Sequence, residues 1–179
     1  MKWLIILLIL FISCSKEYEV PQIIKIEEGD HYCFPATIRS GKQIDWGYTF
    51  DLTKAKYCFN LFNPEEGKDW NKLVGVKKNY WVSEKDNYMI GFRSDGTKLE
   101  YCHYWNDSTG AFHWQDIPLN DEVVTVDFYH QNDSLIISLS GNMKSYYMPA
   151  DETLNYTNTY FGGTYTAPSD LYFIRYTTR

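Results

Sequence analysis

Between Val123 and Tyr147 the chain reads VVTVDFYHQNDSLIISLSGNMKSYY. Val124, Val126 and Phe128 alternate there with Thr125, Asp127 and Tyr129. A period of two sends successive side chains to opposite faces of a sheet, so this is a half-buried strand. Asn132-Asp133 interrupts the run, and Leu135, Ile137 and Leu139 resume the alternation. Gly141-Asn142 turns the chain once more, into a strand from Met143 to Met148. Asn, Asp and Gly are the residues that tolerate tight turns, so the stretch predicts three antiparallel strands in succession.

The same alternation extends outward in both directions. Ile44, Trp46, Tyr48, Phe50 and Leu52 share one face, with Asp45, Gly47, Thr49 and Asp51 opposite. Tyr57, Phe59 and Leu61 repeat it, as do Tyr88, Ile90 and Phe92. Asp95-Gly96, a strong hairpin signal, then leads into Leu99, Tyr101, His103 and Trp105. A last strand runs from Leu171 to Thr178. The preceding Gly162-Gly163 and Pro168 read as a corner rather than a phosphate cradle, because a strand and not a helix follows. Roughly ten to twelve short strands without a helical stripe predict one antiparallel β-sandwich over residues 20–179.

At 179 residues the chain has room for one ordinary domain. Its formal charge of -6, with no cluster of cations, excludes a nucleic-acid footprint. Met1-Lys2 is followed by an apolar run from Trp3 to Ile12, too short to span a bilayer but the length of a signal h-region. Phe11-Ile12-Ser13-Cys14 resembles the lipobox of bacterial lipoproteins. The resemblance implies a signal peptide over residues 1–13, cleavage before Cys14 and acylation of that cysteine, with residues 14–19 as a short tether. Ser15-Lys16-Glu17-Tyr18-Glu19 is similar to the export signal of surface lipoproteins of the Bacteroidetes type. That likeness implies an outer-membrane protein held by lipid at the cell surface, with a periplasm-facing placement as the alternative.

The 123–147 run also resembles the jelly-roll sandwiches of concanavalin A and laminin G domains. The ending YFGGTYTAPSDLYFIRY is similar to the ends of uncharacterised lipoproteins from Bacteroidetes-type bacteria, which names no activity. Retaining glycosidases on the concanavalin-like fold carry Glu-x-Asp-x-(x)-Glu on one strand, and no such string occurs here. Asp121-Glu122 reads as a turn, and Asp127 as a solvated residue beside Thr125 and Tyr129. The lyase set of Tyr, His and Arg has its residue types in His103, Tyr104 and Arg93, without a spacing that joins them. His31, His103, His113 and His130 show no metal-ligand spacing, and no resident metal is expected. Calcium from isolated loop residues, with Asn106, Asp107 and Asp133 as donors, stays open. With Cys14 acylated, Cys33, Cys58 and Cys102 allow at most one bridge. Cys58–Cys102 across strands and free half-buried thiols are both compatible with the pattern.

The aromatic loops carry the functional expectation. Aromatic residues make up 18% of the chain, including 16 Tyr and 6 Trp. Trp105-Asn106-Asp107 and Trp114 flank one turn, while Trp70 and Trp81 lie next to Asn and Asp side chains. Flat rings stack on the apolar face of a pyranose while amides and carboxylates bind its hydroxyls. Trp70, Trp81, Trp105, Trp114, Asn106 and Asp107 are therefore the candidate contacts to a glycan or other extracellular ligand. Asp107-Ser108-Thr109 and Asp133-Ser134-Leu135 resemble the O-glycosylation site of Bacteroidetes-type exported proteins, which implies modification at Ser108 and Ser134. The expected protein binds without catalysis. The alternatives are an accessory subunit of an outer-membrane complex, or a polysaccharide hydrolase or lyase with a scattered site.

Overall fold

The computed structural model describes residues 21–55, 70–78, 85–94, 97–161, 167 and 170–178. The expected signal peptide, Cys14, Cys58, Trp81 and the Tyr57–Leu61 strand lie outside these residues, as do Asp95-Gly96 and Gly162-Gly163. Thirteen strands are present among the described residues: β1 (Gln22–Ile26), β2 (Cys33–Phe34), β3 (Ser40–Gly41), β4 (Asp45–Asp51), β5 (Asn71–Lys77), β6 (Asn87–Ser94), β7 (Leu99–Asn106), β8 (Phe112–Ile117), β9 (Val123–Gln131), β10 (Ser134–Leu139), β11 (Asn142–Tyr147), β12 (Leu154–Thr157) and β13 (Leu171–Thr177). They form a seven-stranded sheet in the order β11-β10-β9-β4-β13-β1-β2 and a six-stranded sheet in the order β3-β12-β5-β6-β7-β8. Every pairing between them is antiparallel.

The alternation read from the sequence is what builds the core. Ile44, Trp46, Tyr48, Phe50 and Leu52 from around β4 meet Val124, Val126 and Phe128 of β9 and Leu135, Ile137 and Leu139 of β10 in one buried cluster. Tyr88, Ile90 and Phe92 of β6, with Leu99 and Tyr101 of β7, close it from the other sheet. One polar clamp crosses this interior. Buried Arg175 of β13 donates to the Tyr156 hydroxyl of β12 at 2.6 Å, to Thr37 Oγ1 at 2.6 Å and to Gln22 Oε1. A buried guanidinium needs such partners, because each one left unmade costs its full desolvation.

Candidate functional site

The six-stranded sheet has a second face, turned away from the core, and side chains on it follow from register. Directly opposed residues in antiparallel strands share a face. Lys77, Asn87, Asn106 and Phe112 therefore form one row across β5 to β8. Gly75, Met89, Tyr104 and Trp114 form the next, and Lys72, Gly91, Cys102 and Asp116 a third. Tyr160 bridges to Lys72 and extends the third row, with Tyr32 beyond it.

The rows combine exposed aromatic edges with a buried polar floor. Trp114 is 53% exposed and stacks on Phe112, with centroids 6.0 Å apart and planes 15° from parallel. Lys72 is buried on this face, donates to the Trp70 carbonyl at 2.7 Å, and places its ammonium 4.4 Å from the Tyr104 centroid and 5.2 Å from that of Tyr160. Rings take up part of the cation's lost hydration through their quadrupoles. Burial in turn pushes the Tyr160 phenol up to about 12. Cys102 is a free buried thiol, raised by desolvation and therefore poor as a nucleophile. Asn87 Oδ1 and Thr157 Oγ1, on the same face, are buried without a hydrogen-bond partner among the described residues.

At the β7–β8 end, Arg93, Trp70, Glu100, Asp116 and Asn120 line a pocket of ≈ 220 Å³. The Arg93 guanidinium stacks 4.2 Å from the Trp70 ring and donates from Nε to Glu100 at 2.8 Å. Lys98 reaches the other Glu100 oxygen at 2.8 Å. Hydrogen bonds from Lys98 and then Arg93 hold the Glu100 carboxyl below the usual range, so it stays ionised. It is a charge-matched acceptor and not a proton donor at neutral pH.

The sequence candidates divide between two places. Asn106, Trp114 and Trp70 belong to the outer face, Trp70 buried beneath Arg93. Trp105 pairs with His113, one position before Trp114, and so points to the opposite side of the sheet. His113 stacks on its ring at 5.2 Å, and the Lys144 ammonium lies 4.2 Å from its centroid. Trp105, Asp107, Ser108, Lys144 and Tyr146 line a separate cleft of ≈ 570 Å³ at the sandwich end. Asp107 is committed to its own turn: it accepts from Thr109 N at 2.9 Å, Thr109 Oγ1 at 2.6 Å, Ala111 N at 3.1 Å and His113 Nε2 at 3.0 Å. These bonds, led by the Thr109 hydroxyl, hold its pKa well below the ordinary range. Asp133 lines another cleft with His130, and no group that would hold a metal gathers among the described residues. Ser108 is exposed on its turn, and Ser134 is half-buried at the start of β10.

The lyase set does not assemble. His103 points into the core, buried on the face opposite Tyr104 and Arg93, because adjacent residues of one strand cannot share a side. Burial first, and then the Lys144 charge, bring its pKa down to about 4. Sequence reasoning named Tyr160 as a minor rim candidate but missed Lys72 and the contact between the two. The period of two is broken in β5 by a register shift between Lys72 and Val74, which puts Leu73 and Val74 both in the core. No alternation remained there to place Lys72 on the outer face.

Two antiparallel sheets packed on one core in this order define a jelly-roll sandwich. No family model and no curated protein matches the chain. Among solved structures it is similar to a glycoside hydrolase family 16 endo-glucanase from Bacteroides ovatus, with a TM-score of 0.50 at 12% identity over 89% of this chain and 81% of that one. It is also similar to the alginate lyase vAL-1 from Chlorella virus, with a TM-score of 0.47 at 10% identity over 87% and 81% of the two chains. A lichenase derived from a mouse hindgut metagenome matches with a TM-score of 0.41 at 11% identity, over 88% and 78%. The endo-glucanase likeness shows the concanavalin A-like jelly-roll fold.

Proposed function

We propose that this chain is a membrane-anchored, surface-exposed lipoprotein whose six-stranded sheet binds an extracellular glycan without catalysis. The observation that carries the reading is the stacked, solvent-exposed Phe112–Trp114 pair on the outer face, beside Tyr104, Asn106 and Asp116. It offers flat apolar rings next to hydrogen-bonding groups, the mixture a sugar surface requires. The outward positions of β7 are Glu100, Cys102, Tyr104 and Asn106. They hold one carboxylate, already neutralised by two cations, in contrast to the paired acids on one strand of retaining glycosidases. The structural likeness to enzymes that act on glycans is consistent with a glycan ligand.

A glycan array probed with the Cys14→Ser protein tests the reading. Retention of one polysaccharide class without its turnover is the expected result. A second reading rests on Glu100 and Asp116 lining one pocket from adjacent strands, an arrangement open to a scattered hydrolase site. New reducing ends that appear with wild type and vanish with Glu100→Gln would establish that reading and refute the non-catalytic one.

A further inference from the structure

The seven-stranded sheet also has a face turned away from the core, and one group of its exposed apolar residues lies toward the β13-β1-β2 edge, apart from Met143 and Tyr147 on β11 at the other edge. Phe34, Lys25 and Tyr172 lie in one row across β2, β1 and β13. Ile23, Ile174, Asp51 and Val123 lie in the next. Tyr176 follows on β13 beside Thr49. Phe34 is 77% exposed, Ile23 63% and Val123 54%, with Tyr172 and Tyr176 near 37% and 36%. Exposed apolar side chains that recur in adjacent rows in this way mark a contact surface. The charges in these rows are Lys25, paired with Glu27 and Asp170, and Asp51, which accepts from Thr53 N.

We infer that this edge of the seven-stranded sheet rests on the lipid bilayer that holds the anchor. The inference rests on the acylation of Cys14 proposed above. Cys14 stands eight residues before Gln22, the first residue of β1, and fully extended chain covers at most about 3.6 Å per residue. The acyl chains are therefore tied within about 29 Å of the strand that carries Ile23. At such a short tether the effective concentration of membrane is high, and a modest apolar contact suffices to orient the domain. Tyr side chains, apolar in body and polar at the tip, suit the headgroup level. Because the two sheets pack back to back on one core, this docking turns the outer face of the six-stranded sheet toward the medium. The candidate glycan platform is then presented to the outside.

Hydroxyl-radical footprinting of the full acylated protein in phosphatidylcholine nanodiscs tests this, with the Cys14→Ser protein in solution as reference. Oxidation of Phe34, Tyr172 and Tyr176 is expected to slow several-fold on the membrane. Met143 and Tyr147, on β11 at the far edge of the same sheet, should be unchanged, as should Trp114 on the other sheet. Ile23→Asp should weaken the protection while leaving the anchor in place. Membrane retention without this difference overturns the docking alone. Retention that does not depend on Cys14 overturns the anchor and the docking together. Protection that also appears in the Cys14→Ser protein and rises with its concentration assigns the face to a second copy of the chain instead.

Discussion

Gly91 offers a direct test of how the outer face is floored. A Cβ at this position would lie 2.6 Å from Cys102 Sγ and 3.4 Å from Trp70 Cε3. Non-bonded heavy atoms normally settle about 3.5–4.0 Å apart, so Gly91→Ala drives a methyl roughly 1 Å into a wholly buried sulfur. The sulfur sits two bonds from the backbone of β7, which is paired on both sides, and has little room to yield. Overpacking of this kind costs about 1–3 kcal/mol, and the rigid neighbour places Gly91→Ala near 2. Cys102→Ala alone should cost about 1 kcal/mol for the small void. In the double variant the new methyl occupies space the sulfur has left, so the two effects should offset each other by about 2 kcal/mol. Urea denaturation of the Cys14→Ser protein and its three derivatives reads this out. With a slope of about 2 kcal/mol/M, Gly91→Ala should lower the midpoint by about 1 M, and adding Cys102→Ala should recover about half of that loss. Additive losses within about 0.5 kcal/mol would refute the packing of Gly91 against Cys102.

Three further outcomes are expected. His103 is buried and neutral, with its pKa brought from the ordinary His value down to about 4, so the unfolded chain binds its proton first. Stability should therefore fall as pH drops from about 6.5 toward 4, by at most about 3 kcal/mol, and His103→Gln should flatten that limb of a pH-dependent melt. Asp107 has a depressed pKa when folded, so its turn stabilises the fold above the ordinary carboxylate range and loses that effect on acidification. Asp107→Ala should be less stable than wild type at pH 7, and the gap should close at low pH. Cys14→Ser should move the protein from the membrane fraction to the soluble one, and retention on membranes would sink the anchor.

Most of the architecture was legible because burial on one face imposes a period of two. The strands around Trp46, Ile90, Tyr101, Val126 and Ile137 were read from that alternation, and each lies in the core as expected. Strands that escaped notice lack this constraint. β8 is an edge strand with Phe112, Trp114 and Gln115 all exposed, so neither face is forced to be apolar. β12 has four residues, and β5 carries the irregularity at Lys72. The candidate site was half legible for the same reason. Aromatic residues around the 107–111 turn drew attention, but the register that sends Trp105 inward and Trp114 outward is a property of the pairing. Lys72 and Tyr160 meet through a bridge between residues 88 positions apart, which no local pattern encodes.

Titration of the strongest glycan-array ligand into wild type and Trp114→Ala, by calorimetry on the Cys14→Ser background, tests the central claim most directly. Trp114 lies exposed on an edge strand, so its removal leaves the core untouched. An aromatic anchor at the centre of a contact is worth about 2 kcal/mol or more, so affinity should fall about thirtyfold, with Trp114→Phe keeping most of it. Unchanged affinity in Trp114→Ala, or no glycan bound by wild type at all, would contradict the assignment of this face as a glycan platform.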